Sequence, residues 1–286
     1  MRAESSILTK PNDGVCGQGT PSFSVILCVH RTNPWLAMAI DSVLQQTDSH
    51  FEFLIAANAC SDDFWSELQT LTSHDSRVRL FRSSIGQLTF NLNLLADQAQ
   101  GDYLVRMDAD DVSEPQRLQC LRRALARDFV DSPVDILGSA AMLIDGNGNI
   151  LGQMNFPETT EEIRRALKSR TVFCHPAVAI RRAFLIQMRG YLGGFASEDS
   201  DLWIRAASAG ARMENLPEVL LRYRVHDQQS IATKSGYAEM AGHWLRELIL
   251  HPGLYTLHGF CVALLKALSR RFLPGVRGYK SRMRND

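Results

Sequence analysis

The chain has 286 residues, of which 45% are hydrophobic and 22% charged, with 31 Lys and Arg against 31 Asp and Glu. That length suits one large domain, or one domain with an appendage, and the composition is ordinary for a soluble globular enzyme. The overall charge balance excludes a basic footprint for nucleic acid, so no nucleic-acid partner is expected.

The balance is not uniform. From Lys266 to the C-terminus there are seven Lys and Arg and one Asp, so the tail is basic and the remainder leans acidic. Six cysteines (Cys16, Cys28, Cys60, Cys120, Cys174, Cys261) are scattered, with neither a C-x-x-C pair nor zinc-like spacing. This argues against a disulfide framework or structural zinc and for a reducing compartment. Residues 1–20 are polar and read as a disordered arm without the apolar core of a signal peptide. The best apolar window, Phe260 to Leu265, is interrupted by Lys266 and is too short to span a bilayer. A cytoplasmic location is expected, with peripheral contact at the inner face of the membrane as an option for the basic tail.

Taken in order, Ser24 to Val29 is a continuous apolar run, as expected of a parallel strand covered on both faces. Asn33-Pro34 reads as a helix start, followed by Leu36, Ile40, Val43 and Leu44 at helical spacing. Phe51 to Ile55 is a second strand, leading through Asn58 into a helix with Phe64, Leu68 and Leu71 as its stripe. Val78 to Phe81 is a third strand. Leu88, Leu92, Leu95 and Ala99 mark a helix with Gly101 expected at its C′ position. A strand from Tyr103 follows, so the order β-α-β-α-β-α-β predicts a doubly wound α/β sheet with helices on both faces.

Beyond Asp111 the pattern changes. Ser113-Glu-Pro115 opens a helix to about Arg127, and Val134 to Ile144 reads as a strand. Asp145-Gly-Asn-Gly148 is a hairpin-type turn into Ile150–Met154. A short helix lies near Glu161–Lys168, and the run from Glu198 opens another that ends before Gly210. Past Ile231 the chain reads as helical, with one stripe through Met240, Trp244, Leu245, Leu248 and Ile249. A second stripe runs through Leu257, Phe260, Leu264, Leu265, Leu268 and Phe272. It is expected either to pack on the preceding domain or to lie on an anionic membrane surface.

The most informative segment is Tyr103-Leu-Val-Arg-Met-Asp108-Ala-Asp110-Asp111, an apolar run that stops at three carboxylates. In open α/β sheets ligands bind outside the carboxyl ends of the strands. Acids this close raise one another's pKa unless a cation neutralises them, and Mg²⁺ or Mn²⁺ holding a ligand's phosphates is the natural partner. The plain alternative is an exposed acidic turn capping the next helix. His30-Arg31, Asn58 and Glu198-Asp199 are further polar groups at strand ends or a helix start.

Four motifs in order give the chain its resemblance: WLAMAIDSVLQQT at 35–47, YLVRMDADD at 103–111, SEDSDLWIR at 197–205 and RYRVHDQQS at 222–230. From about Ser22 to Ser230 it resembles a family 2 glycosyltransferase of inverting type. The resemblance implies a GT-A fold, a Rossmann-like doubly wound mixed sheet over residues 21–230, with a helical, basic extension over 231–286. It also implies a nucleotide-diphosphate sugar donor, a UDP-sugar favoured, and a saccharide or lipid-linked acceptor in cell-surface polysaccharide or lipopolysaccharide synthesis. Asp108 and Asp110 match the family's DXD acids, which hold the divalent cation and the donor, and His226 matches a position that in some relatives reaches the metal or the diphosphate. Asp199, with Glu198 beside it, matches the catalytic base. The implied donor set is His30, Arg31, Asn58, Asn93, Arg106, Asp108, Asp110 and Arg224, with Arg222 as a further phosphate group. His175 is read as an acceptor-site residue or a structural turn.

Two departures bear on the nucleobase. Cys28-Val29-His30-Arg31 stands where Pro-x-Tyr-Asn is common, and Ala57-Asn58-Ala59-Cys60 stands where relatives carry Asp-Asp-Gly-Ser. Asn58 still offers a donor and an acceptor to a uracil-like edge. Rival readings are a sugar-phosphate nucleotidyltransferase, against which the missing Gly-rich loop after the first strand counts, and a non-catalytic binding protein of the same fold.

Overall fold

The computed structural model describes residues 20–127, 129–193, 196–226 and 234–272; the N-terminal arm and most of the basic tail lie outside these described residues. One nine-stranded sheet organises them. Its parallel half is built from β1 (Phe23–Val29), β2 (Phe51–Asn58), β3 (Val78–Ser83) and β4 (Tyr103–Met107), in the order β3-β2-β1-β4. The sheet continues through β8 (Ala179–Arg181), β6 (Ile136–Ile144), β9 (Met213–Arg224) and β5 (Val112–Ser113), with β7 (Ile150–Met154) hairpinned onto β6. β8 runs antiparallel to β4 and β6, β9 runs parallel to β6, and β5 antiparallel to β9. The result is a mixed sheet.

Period-2 alternation in β1 sends Phe23, Val25, Leu27 and Val29 to one face and Ile26 to the other. Helices α1 (Leu36–Leu44), α2 (Asp62–Thr72) and α4 (Arg117–Leu125) cover the first face. Helices α3 (Leu88–Gln98), α5 (Thr160–Leu167), α6 (Arg182–Gln187) and α7 (Glu198–Ser208) cover the second. Parallel register pairs Leu27 with Met107 and Val29 with Ala57, so the residues just past β1, β2 and β4 reach the same edge. The candidate residues that follow these strands converge there.

Two helix starts fall later than the sequence predicts. The Asn33 side chain accepts from Trp35 N at 2.9 Å, but this closes a turn ahead of α1, which begins at Leu36. Ser113 belongs to β5, and Gln46 holds the segment after it by donating to Ser113 Oγ and Glu114 O and accepting from Leu118 N. With those groups engaged, α4 starts only at Arg117. Gly101 is not a left-handed C′ residue either. Helix α3 ends in extended backbone at Ala99, and Gly101 is required because a Cβ would lie 2.6 Å from the Phe23 and Ser24 backbone.

The C-terminal helices α8 (Lys234–Leu250) and α9 (Leu254–Phe272) join the second face through Trp244 and Ala263. The packed face of α9 is Thr256, Gly259 and Ala263, because a Cβ at Gly259 would meet the Trp244 ring at 2.3 Å. Of the expected leucine-rich stripe, Phe260 is half-buried, whereas Leu257, Leu264, Leu265 and Leu268 are exposed. Leu245 and Ile249 of α8 are exposed too. Gly101→Ala is expected to destabilise the protein by about 1–3 kcal/mol, the usual cost of forcing an atom into packed backbone, measured as a lower urea midpoint at unchanged m-value.

Candidate active site

All five residues of β4 are buried, and the strand stops at Asp108. Carboxylate oxygens of Asp108, Asp110 and Asp111 then lie within 4.8 Å of one another. Protein groups hold them: Arg106 Nη2 donates to Asp108 Oδ1 at 2.5 Å, and His226 Nε2 sits 2.7 Å from Asp110 Oδ2. The backbone N–H of Arg224 donates to Asp111 Oδ1 at 2.8 Å, while the buried Asp111 Oδ2 has no hydrogen-bond partner. Burial and then the Asp108 charge raise the Asp110 pKa, against a downward pull from His226. Burial, with Asp108 and Asp110, puts Asp111 well above the carboxylate range. A cluster of hard oxygens with one imidazole and a partnerless buried oxygen suits Mg²⁺ or Mn²⁺.

The second acidic pair opens α7. Glu198 and Asp199 lie half-buried in its first turn, where the helix dipole favours them. Ser200 N donates to Asp199 Oδ1 at 2.6 Å. Burial raises the Glu198 pKa, as does Asp199, while Arg106 lowers it and Asp108 raises it further. The two acidic motifs are therefore within electrostatic reach of each other. Tyr191 stands in the same field, sensing Arg106, Asp199, Glu198 and Cys28, with burial the main cause of its raised pKa.

The base of α7 is tied down from three sides. Ser197 Oγ donates to Glu239 Oε2 at 2.7 Å, and the fully buried Asp201 accepts from Arg205 Nε at 2.8 Å and Arg246 Nη1 at 2.6 Å. Arg205 also donates to Met188 O and Gly190 O. Gly193 packs so closely that a Cβ would lie 2.4 Å from Glu198 Cα.

The remaining sequence candidates divide. His30 and Arg31 are exposed just past β1, with burial and then Arg31 lowering the His30 pKa. Asn58 is buried at the end of β2, beside a cleft lined by Ala59, Cys60, Arg82, Ser83 and Ser84. Arg106 is buried; burial lowers its pKa, but Asp108 foremost more than reverses that. Asn93 and Arg224 are braces in this structure. Asn93 Nδ2 donates to Tyr191 O and its Oδ1 accepts from Tyr191 N, both at 2.9 Å. The buried Arg224 donates to the carbonyls of Asp110 at 2.8 Å and Asp145 at 2.9 Å. Arg222 pairs with Glu114 at 2.6 Å. His175 opens a 3-10 turn (His175–Ala177) and its Nε2 lies 3.1 Å from Tyr191 Oη, which links it to the site through Tyr191.

Sequence reasoning passed over Trp35. Its ring stacks on His226 at a centroid distance of 4.7 Å, lies 5.1 Å from Arg224 Cζ, and donates Nε1–H to Gly146 O at 3.0 Å. Its place in the 35–47 motif was the available signal, but helical periodicity gives no reason for an aromatic ahead of the first turn. Tyr191 was also missed, having no motif of its own.

Trp35→Ala removes the ring packed on His226, and if His226 takes part in the metal site proposed below, Mn²⁺ binding is expected to weaken about tenfold, as for loss of an outer-shell partner. Electron paramagnetic resonance titration reads this, with Trp35→Phe keeping most of the affinity. Burial holds the His175 pKa well below its ordinary value. As pH falls below about 6.5 the unfolded chain takes up this proton and the fold does not, so stability drops by up to about 1.4 kcal/mol per pH unit for the one group. Urea unfolding at pH 7 and pH 5 should show a smaller loss in His175→Gln.

Residues 24–189 match the family model for Glycosyl transferase family 2. The chain is 35% identical over 251 residues to the O-antigen biosynthesis glycosyltransferase WbnJ of Escherichia coli, spanning 85% of this chain and 96% of that protein. Identity is 26% over 270 residues to the UDP-Gal:alpha-D-GlcNAc-diphosphoundecaprenol beta-1,3-galactosyltransferase of Escherichia coli, spanning 91% and 95%. Among solved structures, S. aureus TarS 1-349 in complex with UDP-GlcNAc has a TM-score of 0.65 at 18% identity, over 88% of this chain and 72% of that one. The mannosyltransferase PcManGT from Pyrobaculum calidifontis, in complex with GDP-Man and Mn2+, has a TM-score of 0.60 at 16% identity, over 90% and 77%. These likenesses give the GT-A-like mixed α/β fold, and the family match, which covers more than half of the chain, adds descent. The chain belongs to glycosyl transferase family 2.

Proposed function

We propose that the protein moves a sugar from a nucleotide-diphosphate donor, with UDP-sugars favoured, to a hydroxyl of a saccharide or lipid-linked acceptor, inverting the anomeric centre. The reading is supported by the fold, in which the acids after β4 and those opening α7 lie near enough for the Arg106 and Asp108 charges to act on Glu198. Relatives named for O-antigen biosynthesis and for a diphosphoundecaprenol-linked acceptor favour cell-surface polysaccharide or lipopolysaccharide as the product class.

Asp108, Asp110 and His226 would hold Mg²⁺ or Mn²⁺, which when bound would neutralise the diphosphate and stabilise charge on the leaving group. Asp199 accepts the proton of the acceptor hydroxyl. The oxygen bonds to the anomeric carbon from the face opposite the diphosphate, and the old carbon–oxygen bond breaks, its electron pair leaving with the nucleoside diphosphate. Glu198 stands beside Asp199 in the first turn of α7, with burial and then the Asp199 charge raising its pKa. Arg106 keeps Asp108 in place through its bond at 2.5 Å.

Asp199→Asn is expected to lower transfer roughly 10²–10⁴-fold, the range for losing a general base, while donor affinity by calorimetry stays within about twofold. Near wild-type transfer would remove Asp199 from that role. Asp110→Ala should abolish both turnover and the rise in melting temperature produced by Mn²⁺ plus UDP, because ligand-linked stabilisation vanishes with the site.

A further inference from the structure

Helix α9 has a packed side and a bare apolar side. Opposite the contact between Gly259 and Trp244, the side chains of Leu254, Leu257, Leu264, Leu265 and Leu268 are all exposed, Leu254 at 87% and Leu265 at 67%. At about 100° per residue these five leucines fall in one arc of roughly 100°. Ile249 and Leu250, at the end of α8 that leads into α9, are exposed as well. Single exposed leucines are unremarkable, but an aligned series marks an interaction surface.

Cations gather along another side of α9, marked by Tyr255 and Lys266. Arg164 and Arg165 of α5 and Lys168 at its C-cap line a cleft with Tyr255 of α9, and the Arg164 and Lys168 charges lie 5.7 Å and 5.0 Å from the Tyr255 ring centroid. Lys266 Nζ donates to Ser169 O just beyond α5. The acids in the cleft are limited to Glu161, which pairs with Arg165 at 2.8 Å. In sequence, the stretch from Leu248 to Asn285 holds seven Lys and Arg and neither Asp nor Glu.

In a pairing of α9 with α9 of a second copy, this acid-free stretch would meet only itself. Anionic headgroups above acyl chains instead match both the charge and the leucines. No helix among the described residues is long and apolar enough to cross a membrane. We propose that α9 lies in the interface of an anionic bilayer, with its leucines at the acyl boundary and Arg164, Arg165, Lys168 and Lys266 at the headgroups. The inference extends the proposed function by naming the surface on which a lipid-linked acceptor would be met. Its test measures no sugar transfer, so the two readings fail separately.

The full-length protein is floated on density gradients with vesicles of phosphatidylcholine alone, or of an equal mixture with phosphatidylglycerol. Binding to the mixed vesicles should be at least about tenfold stronger, as several surface cations near anionic lipid require. Leu257→Gln/Leu264→Gln/Leu268→Gln should lower it about tenfold or more with circular dichroism and melting temperature unchanged, since all three side chains are exposed. Arg164→Gln/Arg165→Gln/Lys168→Gln should bring binding to mixed vesicles towards that of neutral ones. Failure of the wild type to float with mixed vesicles, or equal binding to both kinds, overturns the proposal. So does a vesicle-free dimer that the leucine variant turns into a monomer, because a second copy would then cover the face.

Discussion

Three carboxylates at the end of a buried strand set the terms for everything around them. Negative charge at Asp108, Asp110 and Asp111 is partly desolvated, and the protein's own cations offset it incompletely. Arg106 answers Asp108 directly, and His226 answers Asp110. Asp111 has only the backbone N–H of Arg224 on one oxygen and no partner on the other. Such a cluster persists because a cooperative fold holds it there. The end of β9 is drawn in beside it, β5 pairs with β9, and Arg224 caps the carbonyls of Asp110 and of the β6–β7 turn. A divalent cation bound as proposed would relieve what remains, so the geometry that is costly without the ion would make a specific site with it.

The second motif is placed by a different device. Glu198 and Asp199 take their positions from α7, whose first turn is fixed to α8 through Ser197–Glu239 and Asp201–Arg246. The loop before it is fixed by Asn93 and Arg205, and Gly193 allows it to touch the Glu198 backbone. Buried polar networks of this kind have every incentive to stay intact, since an unpaired buried charge is worth several kcal/mol of destabilisation, roughly 3–5. The C-terminal helices therefore do more than extend the chain. One side of the hairpin anchors the proposed base, and the other presents the leucines.

Much of this was legible in the residues. Strands β1, β2 and β4 are apolar runs because both of their faces are covered, and the acids after β4 mark its end as sharply as any turn would. The hidden parts depend on partners far away in sequence. Asn93 and Arg224 carry the right chemistry for phosphate or sugar, yet their hydrogen bonds go to backbone 98 and 114 residues distant, which no local pattern encodes. Gly101 looks like a helix stop and is a close-approach residue against β1. The α9 pattern is the most instructive. Leucines at helical spacing suggest a buried stripe, but Gly259 lets the Trp244 ring settle against the backbone, so small residues take the contact and the leucines face outward.

Crystals grown with UDP and Mn²⁺, with diffraction recorded at the manganese absorption edge, address the central claim most directly. The account predicts one anomalous peak within coordination distance of the Asp108 and Asp110 carboxylates and of His226 Nε2, in contact with the diphosphate. Diphosphate bound elsewhere, or bound at this edge of the sheet with the peak away from those three side chains, would contradict it.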